Sequence, residues 1–170
     1  FAGFVASDGS DKGKLTDIYE LYDRSPTSWS FDKLDAPVID TQGGFDLAFR
    51  LAPSGLLYYA GTADRDHLEW GAVEYDPVSG SSVLIGNGPA PRPHQDMHAL
   101  GFYGGKVYLG TDGGLFRYTP NPGRLGGWED LNTTGLDTLQ VNSVAARNGN
   151  LILDASRGPE GAEEDRAHPL

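Results

Sequence analysis

His94, Asp96 and His98 stand at alternating positions and offer two imidazoles and a carboxylate, donor types that a divalent ion such as Zn²⁺ accepts. On an extended strand they share one face, because side chains alternate with period two. Pro91 and Pro93 draw His94 toward a loop, which leaves a second use for the group. In it, Asp96 fixes the tautomer of His98 beside a bound ligand, with His94 nearby. A third use is plainer: a His–Asp hydrogen bond that only steadies the strand entry. Asp112-Gly-Gly114 reads as a turn whose glycines supply positive φ, with Asp112 as a Ca²⁺ ligand the secondary reading. Asp46, Asp64 and Asp66 are further carboxylates expected at strand ends or in loops, where a glycosidase would need two of them facing across a cleft. Arg50, Arg65, Arg92 and Arg117 suit a carboxylate ligand by type alone. The chain has no Cys, which removes disulfides, thiolate metal sites and thiol nucleophiles. It also carries no serine nucleophile elbow, phosphate loop or zincin helix.

The elements that must hold these groups repeat along the chain. Alternating apolar stretches closed by a small or polar residue end at Gly61, Gly110 and Asp154, spaced by 49 and 44 residues. That is the period of four-stranded propeller blades, roughly 40 to 50 residues. Phe1 to Ser7 is a degenerate earlier copy. Each stretch follows another apolar segment, namely Phe45 to Phe49, His98 to Phe102 and Val141 to Ala146. Short turns at Ala52–Gly55, Gly104–Gly105 and Asn148–Gly149 separate the two, which is a hairpin signal. Third strands are expected at 17–23, 71–76 and 114–118, and fourth strands at 28–31, 82–85 and 128–131. Aligning Leu47, Leu100 and Val144 places Leu100 and Phe102 against one neighbouring unit and Ala99 and Gly101 against the other, with Leu47 and Phe49 equivalent and both pairs buried. Trp29 and Trp128 recur on fourth strands, where they suit packing between units.

The expected fold is therefore all-β: a β-propeller built from four-stranded antiparallel blades, with about three and a half blades in approximate units 1–40, 41–88, 94–132 and 139–156. Residues 157–170 are expected as a flexible acidic loop or tail. A length of 170 residues and 38% apolar content fit one core. A formal charge of −11 repels phosphate backbones and anionic lipid, so nucleic acid and membrane surfaces are excluded as partners. Asp outnumbers Glu by 17 to 7 and only four residues are Lys, a balance that suits a solvated surface, a GC-rich genome or oxygen ligands for a hard cation.

Gly110 to Tyr118, Trp128 to Leu131 and Val141 to Ala145 together resemble a blade of the Asp-box (bacterial neuraminidase repeat) propellers, which include sialidases, xyloglucanases and sortilin-type receptors. The Asp-box turn, Ser-x-Asp-x-Gly-x-Thr-Trp, is matched loosely by Thr119, Asn121, Gly123 and Trp128, and again by Asp76, Gly80 and Ser82. Gln95 to Leu100 is similar to the strand that opens such blades in sortilin-like bacterial proteins. Gly104 to Gly110 and Tyr75 to Gly80 resemble kelch propellers, the rival assignment. The Asp-box resemblance covers residues 94 to 154 and implies a fold rather than an activity.

Closed propellers take roughly four to eight blades, more than this length supplies. The expected partners are the rest of a longer chain, or other copies that complete the ring. No catalytic motif surrounds the candidate acids, so the expected function is a non-enzymatic, extracellular module that binds a carbohydrate or protein ligand or serves a larger assembly, needing no cofactor. The alternative is a segment of a glycoside hydrolase of the sialidase or xyloglucanase type.

Overall fold

The computed structural model describes residues 1–5, 13–25, 28–41, 46–62, 71–87, 90–121, 124–132, 140–147 and 150–156. These form strands and turns, with a 3-10 turn at Ile85–Asn87 and no α-helix among the described residues. The first sheet runs β1 (Ala2–Val5), β2 (Lys14–Ser25) and β3 (Ser28–Leu34), with β4 (Ile39–Asp40) also pairing β2. The second holds β5 (Leu47–Leu51), β6 (Leu57–Gly61), β7 (Ala72–Tyr75) and β8 (Ser82–Leu84) in chain order. The third repeats that order with β9 (Met97–Tyr103), β10 (Lys106–Thr111), β11 (Gly114–Asn121) and β12 (Arg124–Asp130). The fourth pairs β13 (Gln140–Arg147) with β14 (Asn150–Ser156). All pairings are antiparallel, as an all-β chain with short connections requires. The turn at Asn148–Gly149 and the tail at 157–170 lie outside the described residues.

Glycines make the hairpins tight. Gly104 and Gly105 both hold positive φ, 57° and 72°, which suits a two-residue connection between right-twisted strands. At Asp76–Gly80 the aspartate supplies the turn. Its carboxylate accepts from the Val78 amide at 2.9 Å and the Ser79 hydroxyl at 2.7 Å, and those two bonds hold its pKa below the ordinary aspartate value.

Alternation gives each sheet two unlike faces. Leu57, Tyr59, Val73 and Tyr75 of the second sheet pack on Leu15, Ile18 and Ile39 of the first. The opposite face, with Ala48, Ala60 and Ala72 around Tyr58, receives Val107, Leu109, Phe116, Tyr118 and Trp128 of the third. Ala99, Tyr108 and Leu115 then meet Val141 and Val144 of the fourth. The bulky face of the second and of the third sheet thus looks back along the chain. Each fully buried Leu, Val or Phe contributes about 1.5–3 kcal/mol, so these three interfaces supply most of the favourable term.

The expected facing of β9 and β5 is observed: Leu100 and Phe102 point to the second sheet, Ala99 and Gly101 to the fourth, and Leu47 and Phe49 to the first. Of the bulky set Leu100 is buried, while Phe102, Leu47 and Phe49 are partly covered and border open cavities. The expected equivalence of Gly61 and Gly110 is corrected. Gly61 pairs with Leu47 and leans on Asp40 and Asp46, whereas Leu109 pairs with Leu100, and Gly110 lies against Val141 on the opposite face. A slip of one residue changes the face, so each glycine is required by a different close approach.

Trp128 joins two sheets. Its indole packs on Tyr118 with centroids 5.0 Å apart, and Nε1 donates to the Ile85 carbonyl at 2.6 Å. The expectation that Trp29 packs between units in the same way is corrected: it lies on β3 and is 63% exposed within the chain.

A Cβ at position 110 would sit 2.7 Å from the Val141 carbonyl oxygen, whereas at Gly127 it meets nothing. Gly110→Ala is expected to lose about 1–3 kcal/mol in urea unfolding while Gly127→Ala stays within about 0.5 kcal/mol of wild type. Trp128→Phe leaves the Ile85 carbonyl without its donor and is expected to lose about 1–3 kcal/mol in the same assay.

Candidate functional site

The first strands β5, β9 and β13 lie side by side, and the chain enters all three at one end of the stack. Asp46 immediately precedes β5, Asp96 precedes β9, and Gln140 opens β13. The second strands finish at the same end, bringing Thr62 after β6 and Asp112 after β10. Sheet order alone therefore gathers side chains that are distant in sequence.

His98 is the hub. Its Nε2 lies 2.6 Å from Asp112 Oδ1, in the range of a charge-assisted hydrogen bond, and 3.2 Å from the Gln140 amide nitrogen. Its Nδ1 lies 3.1 Å from Asp46 Oδ1, although that oxygen lacks the alignment of a hydrogen bond. The ring thus faces a carboxylate oxygen at each nitrogen, with hydrogen-bond geometry met on the Asp112 side.

Asp46 is 1% exposed. Burial pushes its pKa above the ordinary aspartate value, opposed by the hydrogen bond from Thr62 and reinforced by the Asp96 charge. Thr62 donates to Asp46 Oδ2 at 2.8 Å and lies 3.1 Å from Asp96 Oδ1, so one hydroxyl spans two carboxylates. Asp112 is the open acid of the group, with 40% of its side chain exposed.

Asp96 sits in the left-handed region at φ 62°, the one described non-glycine residue there. That conformation costs roughly 1 kcal/mol for most side chains and is best tolerated by Asp and Asn. The Asp112 amide bonds to its carbonyl at 3.2 Å and holds it in place.

Below the hub, a cavity of about 290 Å³ runs between the three first strands, lined by Arg50, His98, Asn142 and Ser143 among others. The Arg50 guanidinium crosses it, donating to the Leu100 carbonyl at 2.8 Å and toward the Val144 carbonyl at 3.4 Å. One side chain from β5 thereby ties β9 and β13 together.

The sequence expectation of a shared His94–Asp96–His98 face does not carry over to the structure. Strand β9 starts at Met97, so period-two alternation stops before it reaches Asp96 or His94. His94 instead packs over Gly113, where a Cβ would lie 2.5 Å from its own, and its Nδ1 lies 2.9 Å from the Gln95 carbonyl oxygen. Close approach, not positive φ, is what requires glycine at 113; Gly114 supplies the turn at φ 104°. Asp46 and Asp112 stand at the two His98 nitrogens, where the sequence points to Asp96. Among the described residues no three His, Asp or Glu side chains are grouped to hold a metal ion. Arg117 pairs with Glu129 on the sheet surface, and Asp64, Arg65 and Asp66 lie outside the described residues. Thr62 and Gln140 were not anticipated, since a lone hydroxyl or amide at a strand end carries no spacing signal.

A carboxylate whose native pKa is raised binds its proton more tightly folded than unfolded. The stability this adds is complete below the ordinary aspartate value of 3.8 and is lost as pH rises through the raised native value. Asp46→Asn, a neutral isostere, lacks that slope. Its melting temperature relative to wild type is expected to improve from acid to neutral pH, as followed by circular dichroism.

Compared with known protein families, curated proteins and solved structures, the chain matches none of them.

Proposed function

We propose that the stacked sheets are blades of a β-propeller and that the chain is a non-enzymatic binding module, extracellular in setting, that takes a carbohydrate or protein ligand at the His98 end. The observation that carries this reading is the convergence of Asp46, Asp96, His98, Asp112 and Gln140, from three sheets, at the mouth of a polar cavity between first strands. Pockets built from convergent polar groups of several elements are the usual place for a ligand. Asp112 and the polar rim supply acceptors for sugar hydroxyls or for peptide donors, with the His98 ring and the buried Asp46 behind them.

The hub argues for binding over hydrolysis. A glycosidase needs two carboxyl groups that both face the sugar, one as acid and one as base or nucleophile. Here Asp46 is enclosed and Asp112 is held by His98. A glycoside hydrolase segment is the competing reading, and the same experiment separates the two.

Wild type and Asp112→Asn are to be compared on a glycan array, on a peptide array and against aryl glycosides. Binding of one ligand class by wild type, reduced at least tenfold in Asp112→Asn at unchanged melting temperature, is the expected result. Aryl glycoside turnover that disappears in Asp112→Asn would replace the binding reading with the hydrolase. Ligand binding untouched by the substitution would remove this end of the stack from consideration.

A further inference from the structure

The first sheet carries a bulky face with no sheet against it among the described residues. Registry puts Tyr19, Leu21 and Phe31 on one side of β2 and β3, with Phe4 on the same side of β1. Phe4 is 55% exposed, Leu21 40% and Phe31 64%, and together with Tyr19 they bound a groove of about 410 Å³. The rings pack on one another: Phe4 meets Tyr19 edge-on at 5.4 Å and Tyr19 meets Phe31 edge-on at 5.8 Å. Trp29, two positions before Phe31, continues the same face. The Asp17–Lys33 ion pair lies on the same face between the rings, and a largely aromatic surface of this size marks an interface.

Its occupant can be argued from the packing rule inside the chain. In the second and third sheets the bulky face looks back along the chain and is covered by the sheet before it. The opposite face of the first sheet, with Leu15 and Ile18, is already used by the second sheet, so the exposed aromatic face is the backward-looking one. At the other end of the stack, β13 and β14 turn Val144 and Leu153 toward the third sheet. Ser143, Ala145, Ile152 and Asp154 are left on the far side, all exposed. That forward-looking face sets Ile152 and Asp154 beside the short Ser143 and Ala145, as the second sheet sets Tyr58 among Ala48, Ala60 and Ala72 on the face that the third sheet covers.

We infer that the aromatic face of the first sheet binds the β13–β14 face of a second copy of this chain. Two copies related by a twofold axis make the contact twice and close the stack. The inference rests on reading the sheets as successive blades; Ser143 borders both the cavity and the β13–β14 face, but Phe31 and Ile152, the residues that test the contact, belong to neither the His98 hub nor the cavity lining.

Light scattering after size exclusion tests it. Wild type is expected at twice the 18.2 kDa chain mass. Phe31→Glu and Ile152→Glu each disable one side of the contact and are each expected at the single-chain mass. Both positions are more than half exposed in the isolated chain, so near-ultraviolet circular dichroism should stay at wild-type form. An equimolar mixture of the two variants retains one intact contact and should recover dimer. A wild-type monomer would overturn the proposal and assign the face to a different sheet. A dimer that survives Ile152→Glu but not Phe31→Glu would overturn it in favour of aromatic faces paired with each other. A dimer indifferent to both substitutions would overturn it outright.

Discussion

A four-stranded sheet has two faces, and this chain makes both of them apolar. Neither can be left in water without exposing several hundred square ångströms of hydrocarbon, so each sheet is stable only between neighbours. The asymmetry of the faces decides how the neighbours fit. Tyr58 rises from a floor of alanines in the second sheet, and the third sheet fills the space around it with Val107, Leu109, Phe116 and Tyr118. Where the gap is narrowest there is no side chain at all, as at Gly101 and Gly110 beneath Val144 and Val141. Burying Tyr58 also buries its hydroxyl, which is satisfied by Glu74 at 2.6 Å; burial and that partner together push the phenol's pKa far up.

The seam between first strands is of the opposite character. Backbone carbonyls of β9 and β13 turn toward it, and Arg50 neutralises two of them. At the end of the same seam three carboxylates stand within reach of one imidazole and one hydroxyl. The apolar faces fix the distances between sheets, and the polar seam uses those distances. A shift of one ångström between the second and third sheets would separate His98 from Asp46 while leaving its contact to Asp112, which belongs to the same sheet, unchanged.

Much of the sheet order was legible because period-two alternation and short glycine turns are local signals. Strands β5 to β12 fall where alternation puts them, and the facing of Leu100, Phe102, Ala99 and Gly101 follows from it. What was not legible depends on distance rather than on pattern. Gly61 and Gly110 look alike in sequence and answer to opposite neighbours. Asp46 stands next to a strand like several other aspartates; its burial is set by His98 and Thr62, which lie 52 and 16 residues away. The left-handed backbone at Asp96 ended the strand one residue before the face it was expected to share with His98. Local chemistry identified His98 as unusual, and only the packing of three sheets showed which acids it meets.

Apart from β4, which pairs with β2, the described strands pair with their neighbours in sequence, and the sheets pack mainly on those beside them in the chain, with Arg50 reaching across from the second to the fourth. Such an array stores its cooperativity at the interfaces, close to a one-dimensional chain of coupled units. Among the described residues of a single chain, opening the two-stranded fourth sheet breaks one packed interface and the Arg50 bond to Val144, whereas opening the third breaks two and pulls the Trp128 indole from the Ile85 carbonyl. Fraying is thereby directed to β13 and β14, so that the amide of Gln140, and with it one wall of the His98 hub, is the part of the site most readily released by thermal motion.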